Sequence, residues 1–305
     1  MLITRVRNIL YHNPDGVVNG RTSADLSLDA GMVIQYNETD ITPMDRQELD
    51  NLKQWFSDYC RTFHTSNAED QQNITLKQEH TLRVCDNMAE IARDLSLDEG
   101  RIMLAEAVAL FHDVGRFPQY LKYHTFRDSV SVNHAALGAR VLIENNVLGN
   151  ALKREQDLII RAVTLHNVFA VPGGLDRDAL LFLKMIRDAD KLDIWRVSLE
   201  YYTQSEAERA SAVGLDLPDT DSYSPEVLES LRRTEMVQMS ALKTLNDFKL
   251  LQLAWIFDLN FASSLRIVAE RRTIERMAAL LPDADEIRNA VDFVRDYVAG
   301  RLRET

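Results

Sequence analysis

At 305 residues, 46% hydrophobic and 27% charged, the chain is long enough for one large or two small globular domains with a substantial core. A net charge of −12 and a pI near 5.1 disfavour long polyanions, so no long nucleic acid is expected as a partner, whereas a small phosphorylated molecule needs only a local basic patch. Only two cysteines occur, Cys60 and Cys85, without paired ligand spacing; this excludes a zinc finger and fits a reducing cytoplasm.

Residues 1–43 are turn-rich, with Asn13-Pro14-Asp15-Gly16 and Asn19-Gly20, and Met32 to Tyr36 is their one strand-like run. An irregular arm is expected there. The opening Met-Leu-Ile-Thr-Arg-Val-Arg has charges where a signal peptide would be apolar. No segment approaches the roughly 20 apolar residues of a membrane span, so no membrane partner is expected. A helix is expected from Asp45 through Phe63. Leu76, His80, Val84, Met88, Ile91 and Leu95 then form one apolar stripe at helical spacing.

The run from Leu104 to Phe111, broken only by Glu106, marks a helix buried on most sides that ends in His112-Asp113. His134 falls in the first turn of a helix behind caps at Ser131 or Asn133. Ile159, Ala162, Val163 and His166 make another stripe, and Leu183, Ile186, Asp190, Ile194 and Val197 a further one with a carboxylate in its middle. Asp188 lies on a different side, near Lys184 and Lys191, and reads as a solvated ion pair. Asp193 is a weaker competitor to Asp190.

After Tyr202 comes a polar interruption that includes Leu217 to Ser222. Helical periodicity resumes at Pro225 and runs to the end, with breaks near Leu259-Asn260 and Pro282. Leu253 to Phe261 is too apolar for a free tail; it completes the core or forms a dimer surface or pocket wall, which leaves a homodimer open. The chain therefore divides into an arm (1–43), a main helical core (44–202) and a C-terminal helical extension packed on it (203–305), nearly all of it helical.

An unpaired carboxylate or imidazole on an apolar stripe costs several kcal/mol, roughly, unless it is paired or bound to a cation. His80, His112, His134 and His166 each read singly as core histidines. Five separate segments that each turn a His or Asp inward are better satisfied by a shared divalent cation, because neutral imidazole and carboxylate are the ligands borderline metals prefer. One or two such ions are expected, with iron, manganese, zinc or cobalt preferred over magnesium.

The order His80, His112-Asp113, then Asp190 within Ile-Arg-Asp-Ala-Asp-Lys-Leu-Asp-Ile resembles the HD-domain superfamily of metal-dependent phosphohydrolases, as do His-Thr-Leu-Arg-Val and Phe-His-Asp-Val-Gly-Arg. The likeness spans about residues 74–200. It implies an all-α orthogonal helical bundle in which His80, His112, Asp113 and Asp190 bind a first metal. His134 and His166 resemble the extra histidines of the two-metal version, with Asp113 as the bridge. His166 is followed by Asn167, and the Gly-Tyr-Pro segment of the cyclic-dinucleotide phosphodiesterases is absent. This argues against that subgroup and against a third metal.

The chemistry implied is hydrolysis of a phosphomonoester, nucleotide or phosphodiester by water that a metal makes more acidic, with Asp113 central. Arg116 follows the His-Asp pair by three residues, and its fork suits a phosphate. Phe117 to Arg127 mixes cations with aromatics and reads either as a phosphate-gripping loop, with Lys122 and Arg127 as substrate contacts, or as a plain connection. His124 is the candidate proton donor. Arg83 either reaches the site or pairs on the surface with Asp86 or Asn87. Two other readings stay open at this point: a diiron oxygenase with a related ligand order, and a regulatory module that senses a ligand without turning it over.

Overall fold

The computed structural model describes residues 44–205 and 209–304, so the expected arm, with its strand-like run, lies outside the described residues. Every regular element among them is a helix. Short polar residues start these helices as free backbone donors demand. Asp45 caps α1 (Arg46–Arg61), Asn67 caps α2 (Ala68–Asp94) and Asp98 caps α3 (Glu99–Phe111). Of the two expected caps for α5 (His134–Glu144), it is Asn133 whose side chain accepts from Ala136 N. Asp176 does the same for α7 (Arg177–Thr203). Among the described residues no helix is long and apolar enough to cross a membrane.

α3 is the hub. Ala105, Ala107, Val108, Ala109, Leu110 and Phe111 are all sealed from solvent, and the helix packs against α1, α2, α7 and α6 (Lys153–Leu165). Glu106, the one charge in its apolar run, escapes to a 2.7 Å ion pair with Lys53. α2 and α7 are the two longest helices at 27 residues each and lie against one another over α3. α5 and α6 pack together beside them.

The segment expected to be a loop departs from that reading. Arg116 to Tyr123 is helix α4, with Phe117, Gln119 and Tyr120 buried. Pro118 sits in its first turn, where no intrahelical donor is lost. The aromatics anchor α4 to the core: Phe117 meets Phe56, Tyr59 and Phe63.

Beyond residue 209, α8 (Pro225–Arg232), α9 (Leu245–Ala254), α10 (Ala262–Glu270), α11 (Thr273–Ala278) and α12 (Asp285–Arg303) complete the chain. The expected breaks near residues 259–260 and at 282 are present; those at 233–244 and 271–272 add to them. Leu253, Ala254, Ile256 and Leu259 are buried in one continuous core with α7, which makes this stretch part of the interior.

One glycine sets a distance that matters below. A Cβ at Gly115 would lie 2.1 Å from the His134 carbonyl oxygen and 2.6 Å from Gly138 N, so the turn after α3 and the first turn of α5 touch backbone to backbone. Gly115→Ala therefore forces two rigid backbones apart. The expected cost is about 3 kcal/mol or more, above the usual range for one extra methyl. Denaturant unfolding checks it; a loss below about 0.5 kcal/mol, the size of an ordinary surface substitution, would contradict the contact.

Candidate metal centre

Five segments deliver the six expected ligands to one place. His80 lies in mid-α2, His112 is the C-cap of α3 with Asp113 next, His134 opens α5, His166 is the C-cap of α6, and Asp190 lies in mid-α7. Two clusters result, His80–His112–Asp190 and Asp113–His134–His166, each with ligand atoms within 4.8 Å of one another. The Asp113 carboxylate joins them. Its Oδ2 is 3.7 Å from His80 Nε2 and 3.6 Å from His112 Nε2; its Oδ1 is 3.3 Å from His134 Nε2 and 3.8 Å from His166 Nε2. Asp190 Oδ1 closes the first cluster, 3.1 Å from His80 Nε2 and 3.6 Å from His112 Nε2.

All four imidazoles are held the same way. Nδ1–H donates to a fixed acceptor: the Asp193 carboxylate for His80 (2.7 Å), the Ala109 carbonyl for His112 (2.7 Å), the Asp128 carboxylate for His134 (2.7 Å) and the Val163 carbonyl for His166 (2.8 Å). A proton committed at Nδ1 leaves a lone pair on Nε2, which is how a metal-binding histidine is oriented.

The Nε2 atoms of His80 and His112 are buried without a hydrogen bond. Those of His134 and His166 face one another at 3.0 Å, two lone pairs in repulsion. Two nitrogens each about 2.1 Å from one ion and at right angles lie about 3.0 Å apart, so a shared cation turns the repulsion into ligation. The residues present fit divalent metal.

At the Asp113–His134–His166 cluster the charge states agree with that fit, whereas at His80 burial and Lys77 oppose the charge but Asp190 and Asp193 outweigh them and raise its pKa. Burial pushes His166 down to about 3, helped by His134 and His112, and it lowers His134 as well, so both are neutral. Burial opposes the Asp113 charge, but the cations beside it, Lys77 first and then Arg116, outweigh that and hold the carboxyl well below the usual range. Burial opposes the Asp190 charge too, but the His112 and His80 imidazoles beside it outweigh that and hold the carboxyl well below the usual range.

Residues 78–195 match the family model of the HD domain. The chain carries an HD domain. No curated protein and no solved structure matches the chain.

Around the HD ligands, several expectations need correction. Asp188 is not a solvated ion pair. It is fully buried and accepts from Asn260 N, Asn260 Nδ2, Phe261 N and Ser264 Oγ at 2.8–3.1 Å. The segment before α10 covers that side of α7. Asp193 is no competitor to Asp190; it stands behind His80 and also takes Arg83 Nε (2.9 Å) and Arg196 Nε (2.8 Å). Arg83 thus pairs with Asp193 and Glu79, not with Asp86 or Asn87.

The basic residues of the expected phosphate grip go elsewhere. Lys122 is exposed over the Tyr123 ring, His124 is exposed beside Asp70, and Arg127 meets Asp216. His124 ends α4 in the left-handed conformation, which turns the chain away. None of the three touches an HD ligand. Arg116 stays close, its Nε 3.4 Å from Asp113 Oδ1, but its Nη1 is spent on Gln119, Phe126 O and Asp128. It fixes Asp128, which in turn orients His134.

Two residues near the ligands carried little sequence signal. Lys77, one turn before His80, places its ammonium 2.6 Å from Asp113 Oδ2 and 5.3 Å from the Phe126 ring centroid. Asp128, which opens a single 3-10 turn (Asp128–Val130) too short to show periodicity, is the partner of His134.

Substitutions on α7 separate ligand from scaffold. Asp190→Ala should abolish metal binding at the first cluster and leave the helical content intact. Asp188→Ala leaves at least three interior donors unpaired, each worth about 1–3 kcal/mol. Its expected signature is a loss of several kcal/mol in denaturant unfolding. A mutant at 188 as stable as the parent would contradict the buried placement.

Proposed function

We propose that the chain is a metal-dependent phosphohydrolase acting on a small phosphomonoester, nucleotide or phosphodiester. The observation that carries this is the shape of the centre: four imidazoles with Nδ1 committed, two clusters joined by one carboxylate, and a lysine ammonium at that carboxylate. The HD domain supports the class of chemistry. Two bound divalent ions, with iron, manganese, zinc or cobalt favoured by the nitrogen-oxygen donor set, are part of the same reading.

Divalent ions in such a centre make water acidic enough to serve as a nucleophile near neutral pH and neutralise charge on phosphoryl oxygens. The chain's own groups do the rest. Asp113 and Asp190 supply the negative charge that retains cations. His134 and His166, kept neutral by burial, supply lone pairs instead of repelling charge. Lys77 has one N–H on Asp113, and the charge of its ammonium would serve a phosphoryl oxygen bound beside the same carboxylate. Phosphoryl transfer asks mainly for positioning and positive charge, which this arrangement provides. That Arg83, Arg116 and Arg196 are bound to carboxylates supports a small substrate over a polyanion.

Manganese- or iron-loaded protein should release phosphate, or cleave a phosphodiester, from a panel of phosphomonoesters, nucleotides and cyclic dinucleotides, and act poorly on long DNA or RNA. Lys77→Met should lower kcat by about 10²–10³, the loss typical of one preorganised donor, with metal content retained. Lys77→Arg should recover part of it. Metal-loaded, folded protein that is inert across the panel yet consumes oxygen with a reduced organic substrate would replace this reading with an oxygenase.

A further inference from the structure

The fourth turn of α7 faces two ways. Asp190 points to the ligands, while Arg187, Asp188 and Lys191 around it are buried and turned toward the segment between α9 and α10. Arg187 is the link. Its Nη1 donates to the carbonyls of His166 (3.2 Å) and Val168, and its Nη2 to Phe169 O (3.5 Å) and to Asp258 Oδ2 (2.7 Å). The His166 carbonyl is at the C-cap of α6, where free acceptors need a donor and partial negative charge favours a cation, and the Val168 and Phe169 carbonyls lie in the turn just beyond it. Asp258 ends a short 3-10 turn, Trp255–Asp258, and holds both Arg187 and Lys191 Nζ (2.8 Å). Two residues on, Asn260 and Phe261 are fastened to Asp188 through their backbone donors.

From this geometry we propose that Asp258 of the C-terminal extension is a positioning residue for the metal centre, acting through Arg187 on His166. The inference rests on the two-ion reading above. His166 is the C-cap of α6, and its ring is tied by Nδ1 to Val163 O one turn back. Its place against Asp113 and His134 therefore depends on where the end of α6 is held. Arg187 holds that end, and only as a compensated cation: with Asp258 neutral, a buried guanidinium keeps just the carbonyls as partners and is driven toward water. The end of α6 is then released. His80, His112 and Asp190 use none of these bonds. Loss of Asp258 should thus weaken the Asp113–His134–His166 half of the centre and spare the other.

The test is manganese binding to the full chain, read by metal content after gel filtration, by chelator competition and by electron paramagnetic resonance. The unmodified protein should hold two ions per chain with a spin-coupled signal. Asp258→Asn should hold one, with the signal of an isolated ion and an affinity for the second ion weakened at least about tenfold, as for other partners that orient metal ligands. Lys191→Met removes the other cation of Asp258 but leaves the Arg187 pair, and should lower thermal stability while keeping both ions. Should Asp258→Asn fail to fold, Arg187→Lys keeps the buried charge without the fork, and the same single-ion result is expected.

Two ions held with unchanged affinity in these Asp258 and Arg187 variants, or both ions lost together, would overturn the positioning role while the two-ion centre stands. Fewer than two ions in the unmodified protein would overturn the two-ion reading, and this inference with it.

Discussion

Six metal-competent side chains share one small volume, and five of them are nearly sealed from water. Taking an ionised carboxylate out of water costs several kcal/mol after relaxation, and imidazole lone pairs that face each other add to that. The surrounding structure is built to hold this arrangement. Each imidazole is fixed from behind by its Nδ1–H, so no ring can turn its lone pair away, and the Asp113 carboxylate spans the two clusters. Lys77 offsets part of its charge from the side. A cation in each cluster would satisfy the atoms that the protein itself leaves without a partner.

That demand explains features with no obvious local reason. Glycine at 115 lets the turn after α3 touch the start of α5, which brings His134 to Asp113. Gln119, fully buried in α4, donates to Asp128, Ser131 and Val132 O and so shapes the loop that orients His134. Arg116 adds to the same web instead of standing free for a substrate. On the far side, α7 is buried all round because the C-terminal helices close over it. The extension and the HD domain share one core as well as one polar network.

The clustering of these six side chains was legible in the sequence because each is the polar residue on an apolar helical stripe or at the end of a buried helix. That pattern depends only on the residue's own helix. The misreadings share the opposite cause. Asp188 reads as solvated from its neighbours Lys184 and Lys191, and nothing in that window reveals that Asn260 and Phe261 will cover it. Lys77 looks like any surface lysine of a helix, and only its 2.6 Å contact with Asp113 gives it a role. Lys122, His124 and Arg127 suggested a phosphate grip by composition. Lys122 falls on the exposed face of α4, and the left-handed cap at His124 redirects the chain before Arg127, a matter of backbone path that composition does not encode. Asp128 opens a 3-10 turn of three residues, too short for periodicity to say anything.

Anomalous diffraction from crystals of the manganese-loaded protein tests the central claim most directly. The account predicts two peaks about 3.5–4 Å apart, the usual spacing of paired metals. One should lie among His80, His112 and Asp190, the other between His134 and His166, with Asp113 bonded to both. Density showing His134 and His166 joined by a shared proton with no metal between them, or peaks away from these six residues, would contradict it.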